Sequence, residues 1–192
     1  MKTIAIYCGA ATGNTKQYED HMKKLVDWMI EENHQVVYGG GKVGLMGILA
    51  DYMLEKGGRI IGVMPHFLKE REIAHSGLTQ IIYANDMSER KKEMVTLGDV
   101  YLAFPGGPGT LEEIVEVISW SRLGEHRNPC ILYNMDGYYE PLRQMYDKMV
   151  EEGFLSKEDR ETILFSSALE EIAAFIQSYT PPTIREYKSV EK

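Results

Sequence analysis

Six short runs of apolar, largely β-branched residues recur along the chain, at residues 3–8, 35–38, 59–64, 80–83, 99–104 and 130–134. Their recurrence constrains the fold more than any other feature. Each run is apolar throughout rather than alternating, the pattern of a strand covered on both faces. Segments of helical spacing separate them: Tyr18, Met22, Leu25, Val26 and Met29 in the first, Leu45, Ile48, Leu49, Tyr52 and Met53 in the second. Intervals of three and four give each helix one apolar stripe. The alternation predicts the α/β class, a Rossmann-like doubly wound parallel sheet with right-handed crossovers, whose ligands bind at the carboxyl ends of the strands. A chain of 192 residues suffices for a single such domain. Residues 1–180 are read as that domain, closing on a helix near 168–177, and residues 181–192 as a frayed tail.

The formal charge of -8 repels phosphodiester backbones and argues against a nucleic-acid partner. A small phosphorylated ligand, held locally by backbone amides, stays compatible with it. Cys8 and Cys130 fall in apolar runs without disulfide or metal-ligand spacing, and His21, His34, His66, His75 and His126 are scattered, so neither a metal nor a disulfide framework is expected. No apolar stretch is long enough to cross a bilayer, and the apolar stretch in the N-terminal MKTIAIYCGA is too short for a signal peptide. The expectation is a cytoplasmic protein with no membrane partner.

Two glycine-rich turns each follow a strand and open a helix. In the first, GGGKVGLMG at 39–47, the amides of Gly40 and Gly41 are placed to meet an anion with a helix dipole behind them. It also satisfies GxGxxG, but the next strand ends in Pro65 and His66 rather than the acidic residue a dinucleotide ribose requires, and the Walker pattern is missing. Glycines that merely permit tight packing are the alternative. The second turn, PGGPGTLEE at 105–113, brings three glycines, a hydroxyl and a carboxylate to one helix N-terminus. Gly106, Gly107 and Gly109 let a phosphate approach the backbone, and Thr110 adds its hydroxyl. Thr-Leu-Glu-Glu is equally a capping box, Thr110 at the N-cap and Glu113 at N3. Spacing alone leaves capping and catalysis evenly matched for Glu113.

The second turn matches PGGxGTxxE, and with it the chain resembles the LOG-type cytokinin riboside 5′-monophosphate phosphoribohydrolases, a family often labelled lysine decarboxylases. The resemblance extends over nearly the whole chain, through YCGAATGN at 7–14, VYGGGKVGLMG at 37–47, IIGVMPHFL at 60–68, MSERKKEM at 87–94 and NMDGYYEPL at 134–142. It implies a nucleoside 5′-monophosphate substrate, no cofactor and a homodimer, for which residues 114–123, including Trp120, are the candidate contact surface. It also implies an active site of Arg90, Lys91 and Glu113, a phosphate cradle of Gly106, Gly107, Gly109 and Thr110, and Glu72 and Ser119 near the ligand. Two departures stand out. Ala10 occupies a position where the family commonly carries serine, and Pro108 one that often carries an aromatic residue.

The chemistry suits these groups. Breaking an N-glycosidic bond builds positive charge on the ribose, which a carboxylate such as Glu113 opposes while it orients or deprotonates water. Arg90 stays cationic and is suited to positioning. On an isolated sequence the run from Ser88 to Glu93 would read as the charged face of a helix; the accompanying motifs argue otherwise. The rival functions are a pyridoxal-phosphate decarboxylase, for which no Schiff-base lysine with an acidic partner stands out, and a non-enzymatic nucleotide or cofactor carrier on the same fold.

Overall fold

The computed structural model describes residues 1–69 and 74–184. Seven strands form one sheet, every neighbouring pair parallel: β1 (Thr3–Tyr7), β2 (Gln35–Tyr38), β3 (Ile60–Pro65), β4 (Gln80–Ala84), β5 (Val100–Ala103), β6 (Cys130–Tyr133) and β7 (Ile163–Ser166), in the order β4-β3-β2-β1-β5-β6-β7. Between and after them run α1 (Gln17–Glu31), α2 (Gly44–Glu55), α3 (His66–Lys69), α4 (Met87–Leu97), α5 (Pro108–Leu123), α6 (Glu140–Glu151), α7 (Lys157–Glu161) and α8 (Leu169–Ser178). This is the single-domain, Rossmann-like doubly wound fold the alternation implies.

Strand β1 shows why its residues are apolar throughout. Ile4 and Ile6 face a core completed by Met22, Leu25 and Met29 of α1, Leu49 and Met53 of α2, and Ile172 of α8. Ala5 and Tyr7 face the other core, with Met94 of α4, Ile114 and Val117 of α5 and Tyr146 of α6. Successive side chains point to opposite faces, so a strand in mid-sheet has no solvent face to mark with a polar residue. Each fully buried Leu, Ile or Met contributes roughly 1.5–3 kcal/mol.

The distribution of helices follows from chain direction. From β1 to β4 the chain steps toward one edge with α1 and α2 on one face. At β5 it returns past β1 and steps the opposite way, with α4, α5 and α6 on the other face. Right-handed crossovers require that exchange of faces. Strands β1 and β5 are therefore neighbours whose following loops leave in opposite directions, and a crevice opens between them.

Several elements differ from the sequence reading. Strand β7 escaped it, being a four-residue edge strand with Leu164 and Phe165 only half-buried. The helices α6 and α7 were not singled out either. Residues 181–184 follow α8 without helix or strand, and the rest of the expected tail, 185–192, lies outside the described residues.

Candidate active site

The crevice is floored by the turn from β5 to α5, whose carbonyls are all occupied. The Tyr139 hydroxyl donates to Phe104 O at 2.9 Å, the Gly9 amide to Pro105 O at 3.2 Å, the Tyr138 hydroxyl to Gly106 O at 2.6 Å, and the Leu111 amide to Gly107 O at 3.2 Å. Among the described residues, no hydrogen bond takes the amides of Gly107, Gly109 or Thr110. With the carbonyls turned away and these donors at the positive end of a 16-residue helix, the turn presents an arrangement that can hold an anion. Thr110 is buried, and a Cβ on Gly106 would overlap its Oγ1. Gly106 is thus small because the hydroxyl needs the space.

The capping box is not where the sequence suggested. Helix α5 starts at Pro108 with Gly107 as its N-cap and no side-chain cap, so Thr110 lies at N3 and Glu113 a full turn inside. Proline fits the first helical position, where its missing N–H would be unpaired anyway. A side-chain cap of related form lies on α4 instead, with Asp86 as its N-cap. Asp86 accepts from the Glu89 amide at 2.8 Å, and Glu89 Oε2 accepts from the Asn85 amide at 2.6 Å. That cap fixes the first turn of α4, which carries Arg90.

Arg90 and Glu113 are both 8% exposed and form a buried ion pair, Nη1 to Oε1. Arg90 Nε donates to Val63 O at 3.1 Å, and a Cβ on Gly39 would collide with Nη2. Nη1 and Nε of the guanidinium are therefore held by α5 and β3, and Nη2 occupies space that Gly39, just after β2, leaves open. Burial pushes the Glu113 carboxyl above its usual range, and Arg90 pulls it back in part. Burial also pushes the Cys8 thiol, which lines the same hollow, far up, so it stays protonated.

Two hollows meet at this turn. One, about 460 Å³, holds Arg90, Glu113 and Thr110 against an apolar wall of Cys8, Met46, Leu68 and Met87. The other, about 540 Å³, lies between the loop after β1 and the aromatic rings of Tyr18 and Tyr138. They share Ala10 and Gly107, so the departure from serine at Ala10 puts a methyl group at the junction. The larger hollow lacks both charged groups; the smaller is where chemistry can occur. Pro108 lines the smaller as well.

The remaining sequence candidates lie elsewhere. Lys91 Nζ bonds Glu112 at 2.6 Å and Glu116 at 2.9 Å and lines neither hollow. Burial pulls its pKa down, but those two bonds hold it above the ordinary value. Ser119 is exposed on α5 outside both hollows. Gly40 and Gly41 support the fold of their turn: Gly40 O accepts from the His75 amide at 2.9 Å, and Gly41 O from the Tyr38 hydroxyl at 3.0 Å. The first amide of α2 beyond Gly44, that of Leu45, is taken by Gly9 O at 3.1 Å. Glu72 lies outside the described residues. Tyr138, Tyr139, Met46 and Gly39 received no role from sequence; the only trace of the tyrosines was their place in NMDGYYEPL.

Fold and site together define a class: a Rossmann-like α/β protein with unbonded amides at a helix N-terminus beside a buried carboxylate. Comparison with known proteins narrows the class. A family model described as possible lysine decarboxylase matches residues 46–176. The chain is 39% identical to the Arabidopsis thaliana cytokinin riboside 5′-monophosphate phosphoribohydrolase LOG1 over 94% of its length and 85% of that protein's. It is 37% identical to the Oryza sativa subsp. japonica cytokinin riboside 5′-monophosphate phosphoribohydrolase LOG, over 94% and 75%. The chain belongs to the LOG family. Among solved structures, the molybdenum cofactor carrier protein of Chlamydomonas reinhardtii shares its fold with a TM-score of 0.69 at 19% identity, covering 92% of this chain and 96% of that one.

Proposed function

We propose that the protein hydrolyses the N-glycosidic bond of adenosine 5′-monophosphates, N6-substituted ones included, to free base and ribose 5-phosphate. The observation that carries this is the Glu113 carboxylate, buried against Arg90 one helical turn from an anion site of free amides. The 5′-phosphate sits on the amides of Gly107, Gly109 and Thr110 with the Thr110 hydroxyl, and the helix dipole favours its charge. The ribose then lies over Glu113, and the base lies along Met46, Leu68 and Met87. As the C1′–N bond breaks, its electron pair leaves with the base and positive charge grows on the sugar. Glu113, in surroundings poor in water, opposes that charge and orients the water whose oxygen bonds to C1′. The two protons of that water are shared between the departing base and the new hydroxyl. Arg90 favours the ionised form of Glu113 against the effect of burial and aims the carboxylate.

A Schiff-base cofactor, suggested by the decarboxylase label, needs a facing lysine. None lines either hollow among the described residues, and the amine of Lys91 is held by two glutamates. A carrier on the same fold would bind nucleotide without turnover. The deciding experiment incubates the protein with nucleoside 5′-monophosphates, with and without N6 side chains, and follows free base and ribose 5-phosphate. Equimolar appearance of both is expected; bound but intact nucleotide would favour the carrier.

We further propose a cytoplasmic homodimer. Leu111, Val115 and Leu123 form an exposed apolar stripe along α5, with Ser119 in line, and Met87 of α4 is exposed as well. A shallow groove of Val95, Trp120 and Leu123 continues that surface. Both cysteines are buried free thiols, in keeping with a reducing compartment, and no helix among the described residues is long and apolar enough to cross a membrane.

A further inference from the structure

We propose that Tyr138 is a positioning residue for phosphate recognition, its hydroxyl fixing the direction of the Gly107 amide by holding the carbonyl on the other end of the same peptide. The proposal rests on the reading of the α5 N-terminus as the 5′-phosphate site. Gly106 O and Gly107 N–H belong to one peptide group, and none of the peptide bonds among the described residues is cis. In a trans peptide the C=O and N–H point in opposite directions. A hydroxyl bonded to Gly106 O at 2.6 Å therefore aims the Gly107 N–H away from Tyr138 and toward the anion site. Two glycines in succession leave that peptide otherwise free to rotate, and a rotation would present a carbonyl dipole to the phosphate.

The chain builds a dedicated device to deliver this hydroxyl. After β6, Asp136 and Gly137 both adopt left-handed backbone conformations, with φ of 48° and 75°, the first unusual for a residue with a side chain. Asn134 Oδ1 accepts from the Tyr139 amide at 2.7 Å and closes the turn. The Tyr18 ring meets that of Tyr138 edge-on, with centroids 6.2 Å apart. Tyr138 is nevertheless 42% exposed, so core packing does not explain its placement.

The neighbouring tyrosine supplies an internal control. Tyr139 donates to Phe104 O at 2.9 Å, in the same turn, but the peptide it holds continues into Pro105, which has no N–H to aim. Tyr138→Phe and Tyr139→Phe each delete one hydroxyl bonded to one carbonyl of one turn. Only the first should alter phosphate recognition. Because the phosphate is held alike in ground and transition states, the loss belongs in KM rather than kcat.

The experiment measures kcat and KM for an N6-substituted adenosine 5′-monophosphate and, by calorimetry, the affinity for ribose 5-phosphate. For Tyr138→Phe, KM and the ribose 5-phosphate dissociation constant should each rise about tenfold, as expected for weakening one hydrogen bond to a charged group. Its kcat should stay within about twofold of wild type. Tyr139→Phe should leave the ribose 5-phosphate affinity unchanged. Unaltered affinity in Tyr138→Phe, or an equal loss in Tyr139→Phe, overturns the proposal. Should the wild-type protein bind ribose 5-phosphate yet cleave no nucleotide, the hydrolase reading falls and the titration still decides the role of Tyr138. Failure of the wild type to bind ribose 5-phosphate would overturn both.

Discussion

Arg90 and Glu113 pose the energetic question at the residue scale, because burying two charges costs several kcal/mol per ion before their attraction returns any of it. A purely structural role would be served as well by two apolar side chains. The double variant Arg90→Met/Glu113→Leu should accordingly melt at or above the wild-type temperature while losing all measurable turnover. Glu113→Gln, by contrast, leaves Arg90 buried beside a neutral amide. It should reduce kcat by roughly a hundredfold or more and lower stability by about 1–3 kcal/mol, as urea denaturation would read. A plain helix cap would have given neither loss with glutamine in place. The pH dependence has a definite sign. Burial holds the Glu113 carboxyl above its usual range in the fold, so as pH rises through that range the unfolded chain ionises first and the native state loses relative stability. The stability advantage of the double variant over wild type should grow over that interval. The acid limb of kcat should likewise lie above the ordinary carboxylate range.

Elements place these residues through their ends. Strand β2 ends beside Arg90, and helix α2 begins beneath the loop after β1; each junction is tight enough to require glycine. At Gly39 the demand comes from the guanidinium, since a Cβ there would collide with Arg90 Nη2. At Gly44 it comes from the backbone: φ is +60°, and a Cβ would overlap the Ala10 carbonyl. The two alanine variants should therefore separate. Gly39→Ala should fold and melt nearly as wild type but lose roughly ten- to a hundredfold in kcat as Arg90 is displaced. Gly44→Ala should be destabilised by more than about 1 kcal/mol, with any activity loss tracking the unfolded fraction. Equal melting temperatures for the two would contradict this division.

At the scale of the molecule, the proposed anion site lies where the sheet order reverses, and charge argues for selectivity there. No lysine or arginine besides Arg90 lines either hollow among the described residues. One phosphate can be held by amides and dipole, but additional phosphates would meet no cation. Nucleoside 5′-monophosphates should be cleaved far faster than the parent nucleosides, and triphosphates poorly, in parallel assays of base release; comparable turnover of nucleoside and monophosphate would refute the cradle. The exposed stripe on α5 makes a second molecular prediction. Sedimentation should give a dimer mass, and Val115→Glu should shift it toward monomer by forcing a charge into an apolar contact.

The alternation of apolar runs with helical stripes determined the sheet, its parallel sense and its two covered faces, because periodicity is a local property that burial imposes residue by residue. The glycine turns were legible for the same reason, and the resemblance singled out Arg90 and Glu113. Tertiary structure alone decided what those residues do to one another. Glu113 could be read as a cap because helix propensity does not distinguish a start at Pro108 from one at Leu111, and only the placing of α4 and α5 on the same face of the sheet buries it against Arg90. Lys91, adjacent to Arg90 in sequence, turns to Glu112 and Glu116 because successive helical residues point about 100° apart. Tyr138, 32 residues from Gly106, reaches its carbonyl because β5 and β6 are neighbours in the sheet. A hydrogen bond across such a separation leaves no periodic trace in the chain, since either partner alone is an ordinary residue until the fold brings them together.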